Sequence, residues 1–133
     1  VSVKLKSASL DLGIVTDNGD AMIHFYHSIL GFPEIQEISM PDRGILKKYA
    51  VGESVIKLII LNESPDISAN RVGVFGAVGY RHCAVHVTNL EEIIDACKLA
   101  GAKISADIHM LRPGCRLAIV EDPDGNSVEF FEE

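Results

Sequence analysis

Two hydrophobic periods alternate along the chain, and they do so in the same order in its two halves. From Ser7 to Thr16, Leu10, Leu12 and Ile14 alternate with Asp11 and Gly13, the two-residue period of a half-buried strand. Asp17-Asn18-Gly19-Asp20 breaks the strand and offers a helix N-cap. A helix is predicted over Asp20–Leu30, with Ile23, Tyr26 and Leu30 on one face and Met22 and Ile29 widening it. Gly31 fits the left-handed position after a helix. Strands are predicted over Glu34–Met40, Ile45–Val51 and Ser54–Leu61, with turns at Pro41–Gly44 and Gly52-Glu53.

The second half follows the same plan. Tyr80–Thr88 alternates as a strand, and Asn89-Leu90-Glu91-Glu92 reads as a capping box opening a helix that runs to about Ala100. Leu90, Ile94 and Cys97 point inward in that helix, and Gly101 ends it. Three strands are predicted over Lys103–Met110, Arg116–Glu121 and Ser127–Glu132, with a tight turn at Asp122–Asn126. A shift of 72 residues, the distance from Asp17 to Asn89, also lays Ile56-Lys57-Leu58 on Val128-Glu129-Phe130. The chain therefore reads as an internal repeat: a βαβββ module over 1–62, a linker over 63–79 rich in Ser, Asn and Gly, and a second βαβββ module over 80–133. The expected fold class is α+β, with mixed sheets and with modules that pair within one chain or swap with a partner chain.

Composition narrows the function classes. A net charge of −7 repels phosphate backbones and anionic membranes. No apolar run approaches the roughly 20 residues of a membrane helix, and the first ten residues lack the apolar core of a secretory signal. The start at Val1 reads as a trimmed or processed end. Cys83, Cys97 and Cys115 are odd in number and have no CxxC spacing, which points to reduced packing thiols in the cytoplasm rather than disulfides or a catalytic cysteine.

Three segments carry a resemblance: Phe25-Tyr26 with Leu30-Gly31-Phe32, Gly79-Tyr80-Arg81-His82, and Asp122-Pro123-Asp124-Gly125-Asn126-Ser127-Val128-Glu129. Along essentially its whole length the chain resembles the vicinal oxygen chelate superfamily, which spans glyoxalases, bleomycin resistance proteins and extradiol dioxygenases. The resemblance implies curled sheets cupping a small molecule, a homodimer, and metal ligands on the first and last strand of each module: a His or Gln on the first, a Glu on the last. His82, seven residues before Asn89, and Glu129 match that pattern in the second module. In the first, the matching positions hold Leu10, seven before Asp17, and Lys57.

One imidazole and one carboxylate are few ligands for a divalent Zn, Fe, Mn or Ni ion, which normally takes three or four. A leucine has no lone pair, and an ammonium repels a cation. The leading expectation is a small-molecule-binding protein with an incomplete metal site. In it Lys57 faces Glu129 across the cleft, stands in for the ion and attracts a ligand oxygen, while Glu129 is the catalytic candidate. The alternative is a metal-dependent lyase, isomerase or dioxygenase using His82, Glu129 and one more ligand. A purely structural domain is the third reading, and a Lys57 reaching to solvent has no role. His86 shares the face of His82 and is expected to contact ligand or to pack. Arg116 either clamps an anion or is a solvated loop residue. Asp11, of opposite parity to Leu10, is expected to face away unless the register shifts. His24 and His27 read as a surface pair, and His109 is given no role.

Overall fold

A computed structural model describes all 133 residues, and its contacts divide the chain into two compact units, Val1–Pro65 and Asp66–Glu133. Each unit is one βαβββ arrangement. The first contains β1 (Asp11–Thr16), α1 (Gly19–Ile23) running on into a π-helical segment (His24–Ile29), β2 (Glu34–Met40), β3 (Gly44–Val51) and β4 (Ser54–Leu61). The second contains β5 (His82–His86), α2 (Leu90–Leu99), β6 (Lys103–Arg112), β7 (Cys115–Glu121) and β8 (Ser127–Glu132). The sheet orders are β1-β4-β3-β2 and β5-β8-β7-β6, so neither sheet closes on itself. In both, the first strand pairs in parallel with the last and the remaining pairs are antiparallel. The α+β class and the two-module plan are thus those expected. No helix is long and apolar enough to cross a membrane.

Residues 66–79, expected as a linker, belong with the second unit. Arg71 Nη2 donates to the Pro123 carbonyl at 2.9 Å, and Arg81 Nη2 donates to the Gly73 carbonyl at 2.6 Å. Gly125 makes the first contact possible. It has φ +88, and a Cβ there would lie 2.7 Å from Arg71 Cγ.

The core of each unit lies between its helix and one face of its sheet. In the first, Met22, Phe25 and Tyr26 are buried on the helix, and Tyr49, Ile56 and Leu58 on the sheet. In the second, Leu90, Ile94 and Cys97, as expected, are buried with Val120, Val128 and Phe130. Burying side chains of this size contributes roughly 1.5–3 kcal/mol each.

The first helix departs from expectation. From its N-cap Asn18 to Gly31 is thirteen residues, whereas from N-cap Asn89 to Gly101 is twelve. The surplus residue is absorbed by the π turn, where Leu30 N–H donates to Phe25 O at 3.0 Å, five residues back rather than four. The inward face is Met22 and Tyr26, as expected, with Phe25 in addition, whereas Ile23, Ile29 and Leu30 are only half-buried.

The capping box also differs. Asn89 Nδ2 donates to Glu92 Oε2 at 2.8 Å, and the Asn89 side chain caps no backbone group. The helix end is held instead by Glu132 of β8, whose Oε2 accepts the Leu90 N–H at 2.8 Å, with Arg116 at 2.6 Å on its other oxygen. A carboxylate at a helix N-terminus suits the positive end of the dipole.

The Leu90 amide first, and Arg116 second, lower the Glu132 pKa from its ordinary 4.5. The folded chain therefore binds this proton more weakly than the unfolded chain. The contribution is present at neutral pH and is lost as pH falls through the lowered value. Glu132→Gln is expected to unfold at a lower urea concentration than wild type at pH 7, and the gap should narrow as pH falls below the ordinary 4.5. An undiminished gap at pH 3 refutes this account of the cap.

Candidate functional site

Register decides which side chains reach the sheet face not covered by the helix. In the second unit His82, Ala84 and His86 of β5 pair with Ser127, Glu129 and Phe131 of β8. Cys83 pairs with Val128, which is buried in the core, so the His82 set lies on the opposite, open face. Three rows cross that face: His86–Phe131–Leu117–His109, Ala84–Glu129–Ile119–Ala106 and His82–Ser127–Glu121–Lys103. Glu129 sits diagonally between the two histidines, about 7–8 Å from each by strand geometry. His82 and His86 are four residues apart, roughly 13 Å along the strand, so they cannot hold one ion together. The His86 ring stacks on Phe131 at 5.5 Å and 16°. Glu129 is half-buried and has no hydrogen bond or ion pair within its unit. Glu121, one row away, is buried and tied to Lys103 at 2.7 Å.

The first unit is not in the register the sequence implies. Asp11 pairs with Val55 and Gly13 with Lys57, whereas His82 pairs with Ser127 and Ala84 with Glu129. Shifting Ser127 and Glu129 back by 72 gives Val55 and Lys57, but His82 then falls on Asp11, 71 residues before it. The N-caps Asn18 and Asn89 keep the same 71. The structural counterpart of His82 is therefore Asp11, not Leu10, because one residue of slip exchanges the two faces of a strand. Leu10 is 82% exposed and contributes only backbone bonds: its carbonyl accepts from Val55 N–H at 3.1 Å and its N–H donates to Ser54 Oγ at 3.3 Å. Asp11 Oδ2 lies 3.8 Å from Lys57 Nζ on the open face.

Arg116 does not join Glu129. Its β-partner is Glu132, on the helix side of the sheet, and its guanidinium bridges Glu132 at 2.6 Å and Glu91 at 2.8 Å. A hollow of about 420 Å³ borders it, but Glu132 and Glu133 line the same hollow and disfavour an anion there. His24 and His27 are exposed, and His27 Nδ1 bonds the Phe32 carbonyl at 2.8 Å. His109 shares the row of His86 and Phe131, a position that the irregular pairing of β6 hid from the sequence pattern. Lys48 was missed because its partner lies on another strand, apart from it along the alternating pattern. It pairs directly with Lys57, but only the β3–β4 register shows it.

A four-ligand metal site does not fit these residues. The position matching Glu129 carries the Lys57 ammonium, which has no lone pair to give. Within neither unit do three His, Cys, Asp or Glu side chains gather closely enough to hold an ion.

The profile of the glyoxalase/bleomycin resistance protein/dioxygenase superfamily matches residues 9–130. The chain belongs to this superfamily. No curated protein sequence matches it significantly. Among solved structures, a glyoxalase family protein from Bacillus cereus is 20% identical with a TM-score of 0.82, covering 100% of this chain and 99% of that one. A glyoxalase family protein from Enterococcus faecalis is 24% identical with a TM-score of 0.68, covering 97% of each chain. A lactoylglutathione lyase from Agrobacterium tumefaciens is 25% identical with a TM-score of 0.67, covering 97% of this chain and 96% of that one.

The thiols of this superfamily member are unpaired, and burial, with Asp122 second, raises Cys83 to about 11. Cys97 is raised by burial as well. A thiol at that value is mostly protonated at pH 8, so Cys83 in the native protein should react with Ellman's reagent roughly 100-fold more slowly than an ordinary thiol. All three thiols should titrate in denaturant; a fast native phase contradicts the packing assignment.

Proposed function

We propose that this superfamily member is a small-molecule-binding protein whose ligand is held on an open sheet face by charged side chains instead of a four-ligand metal. The observation that carries this reading is Lys57: it stands where the second module has Glu129, on the open face, 3.8 Å from the Asp11 carboxylate. An ammonium there draws an anionic or carbonyl oxygen of a ligand. Glu129, half-buried and without a partner in its unit, is the acceptor for a ligand hydroxyl or proton and the catalytic candidate if chemistry follows. His86, stiffened by its stack on Phe131, offers a flat apolar contact and a ring nitrogen. Arg116 drops out of this reading because its charge is already spent on two glutamates. The acidic charge and unpaired thiols support a cytoplasmic setting, and family resemblance supports a homodimer.

A second reading is a metal-dependent lyase, isomerase or dioxygenase that uses His82 and Glu129 of the open face of the second unit with one more ligand. Against it stands the Lys57 ammonium, which occupies the position matching Glu129 and has no lone pair to give.

Elemental analysis of protein purified without chelator separates the two. The expected result is well below one equivalent of Zn, Fe, Mn or Ni. A stoichiometric metal that is lost in His82→Ala establishes the second reading. A thermal-shift screen of small carboxylates and carbonyl compounds is expected to yield binders that Lys57→Met and Glu129→Gln each weaken roughly 10-fold or more, the usual worth of a hydrogen bond to a charged group. No binder at all removes the small-molecule reading.

A further inference from the structure

The open face of the first sheet carries a second lysine. Across it runs the row Gly13–Lys57–Lys48–Gln36, in which Lys57 and Lys48 are direct cross-strand neighbours on β4 and β3. Both are half-buried. Side chains so paired have Cβ atoms about 4.5–5.5 Å apart, and like charges in that position repel. Lys57 has Asp11 at 3.8 Å, whereas Lys48 has no hydrogen bond or ion pair. Two ammonium groups and one carboxylate leave a net charge of +1 on a protein whose total is −7. Gly13 adds no side chain beside Lys57; a Cβ there would meet only Ile59 Cδ1 at 3.9 Å.

The adjoining row on the same face is wholly apolar: Val15–Ile59–Leu46–Ile38. Val15 is 56% exposed and Ile38 38%, so the row is not sealed by its own unit. Neighbouring rows on one face lie two residues apart, roughly 7 Å. A cationic row beside an apolar row matches a molecule with a negative head and an apolar body.

We infer that Lys48 and Lys57 together bind the head group of an amphipathic monoanion (a carboxylate, sulfonate or phosphate diester) whose apolar body lies along Val15, Ile59, Leu46 and Ile38. The anion relieves the repulsion between the two ammonium groups, which Asp11 only half offsets. This inference rests on the small-molecule-binding reading and names the ligand class for it. It gives Lys48 a binding role that Lys57 alone would not require.

The probe is 8-anilinonaphthalene-1-sulfonate, with neutral N-phenyl-1-naphthylamine as the same aromatic body without the charge. Both are titrated by fluorescence against wild type, Lys48→Met and Lys48→Arg, with circular dichroism confirming the fold of each. Lys48→Met is expected to weaken the sulfonate about 10-fold while moving the neutral probe less than about 2-fold, and Lys48→Arg to keep most of the affinity. Sulfonate binding to wild type should also weaken as salt rises from low to physiological ionic strength. If both probes bind and Lys48→Met changes neither, the lysine pair is not the head-group site, and the small-molecule reading survives without it. If neither probe binds wild type, this inference falls, and the reading beneath it stands or falls by the carboxylate and carbonyl screen. Should Lys48→Met fail to fold, wild type with ¹³C-methylated lysines decides: Lys48 and Lys57 methyl signals must move with the sulfonate and stay still with the neutral probe.

Discussion

Parallel pairing between the first and last strand of each module governs everything that the open faces present. Paired residues of these strands lie 44 positions apart in the first module, as Asp11 and Val55 do, and 45 in the second, as His82 and Ser127 do. Side chains on a strand alternate with a strict period of two, so the register of this one pairing assigns every residue of β1 and β5 either to the helix-covered core or to the open face. In the second module it brings His82, Glu129, His86 and Phe131 to one surface. In the first it brings Asp11, Lys57 and, through β3, Lys48.

The two modules reach the same topology with different local lengths, and the differences are absorbed where they cost least. The first helix accommodates its surplus residue as a π turn, on the side of the sheet that faces the core. The strand before it keeps the 71-residue relation to its counterpart that the N-caps keep, while the last strand keeps 72. The repeat is therefore exact in topology and offset by one residue in chemistry. An acidic residue takes the place of the second module's histidine, and a basic one takes the place of its glutamate.

Much of this was legible along the chain. Gly31 and Gly101, both at positive φ, end the two helices, and the strands of the second module fall within a few residues of the positions their alternation implies. Lys57 and Glu129 were identifiable as counterparts because Ile56-Lys57-Leu58 and Val128-Glu129-Phe130 share a local pattern, and the structure keeps them in that relation. Asp11 was not identifiable, since Leu10, Leu12 and Ile14 look like a core stripe, and Leu12 and Ile14 do pair with the buried Ile56 and Leu58. What misled was laying Asp17 on Asn89: the N-cap that matches Asn89 is Asn18, seven residues after Asp11 as Asn89 is seven after His82. Arg116 looked like a loop cation near a cavity mouth. Its actual partners, Glu91 and Glu132, are 25 and 16 residues away, and no local pattern joins them.

The sequence by itself determined what is local: the two βαβββ modules, the turns that separate their elements, the superfamily, and the residue types at Lys57, His82 and Glu129. Those features follow from periods of 2 and 3.6 and from glycine and proline at turns, all written within a few neighbouring residues. Only the tertiary structure decided that Asp11 rather than Leu10 shares a face with Lys57, that Lys48 stands beside it, and that Arg116 is turned to the helix. Each of those is a matter of parity across strands distant in sequence. Parity is set by where two strands come into register, and a single residue gained or lost in the connections reverses it.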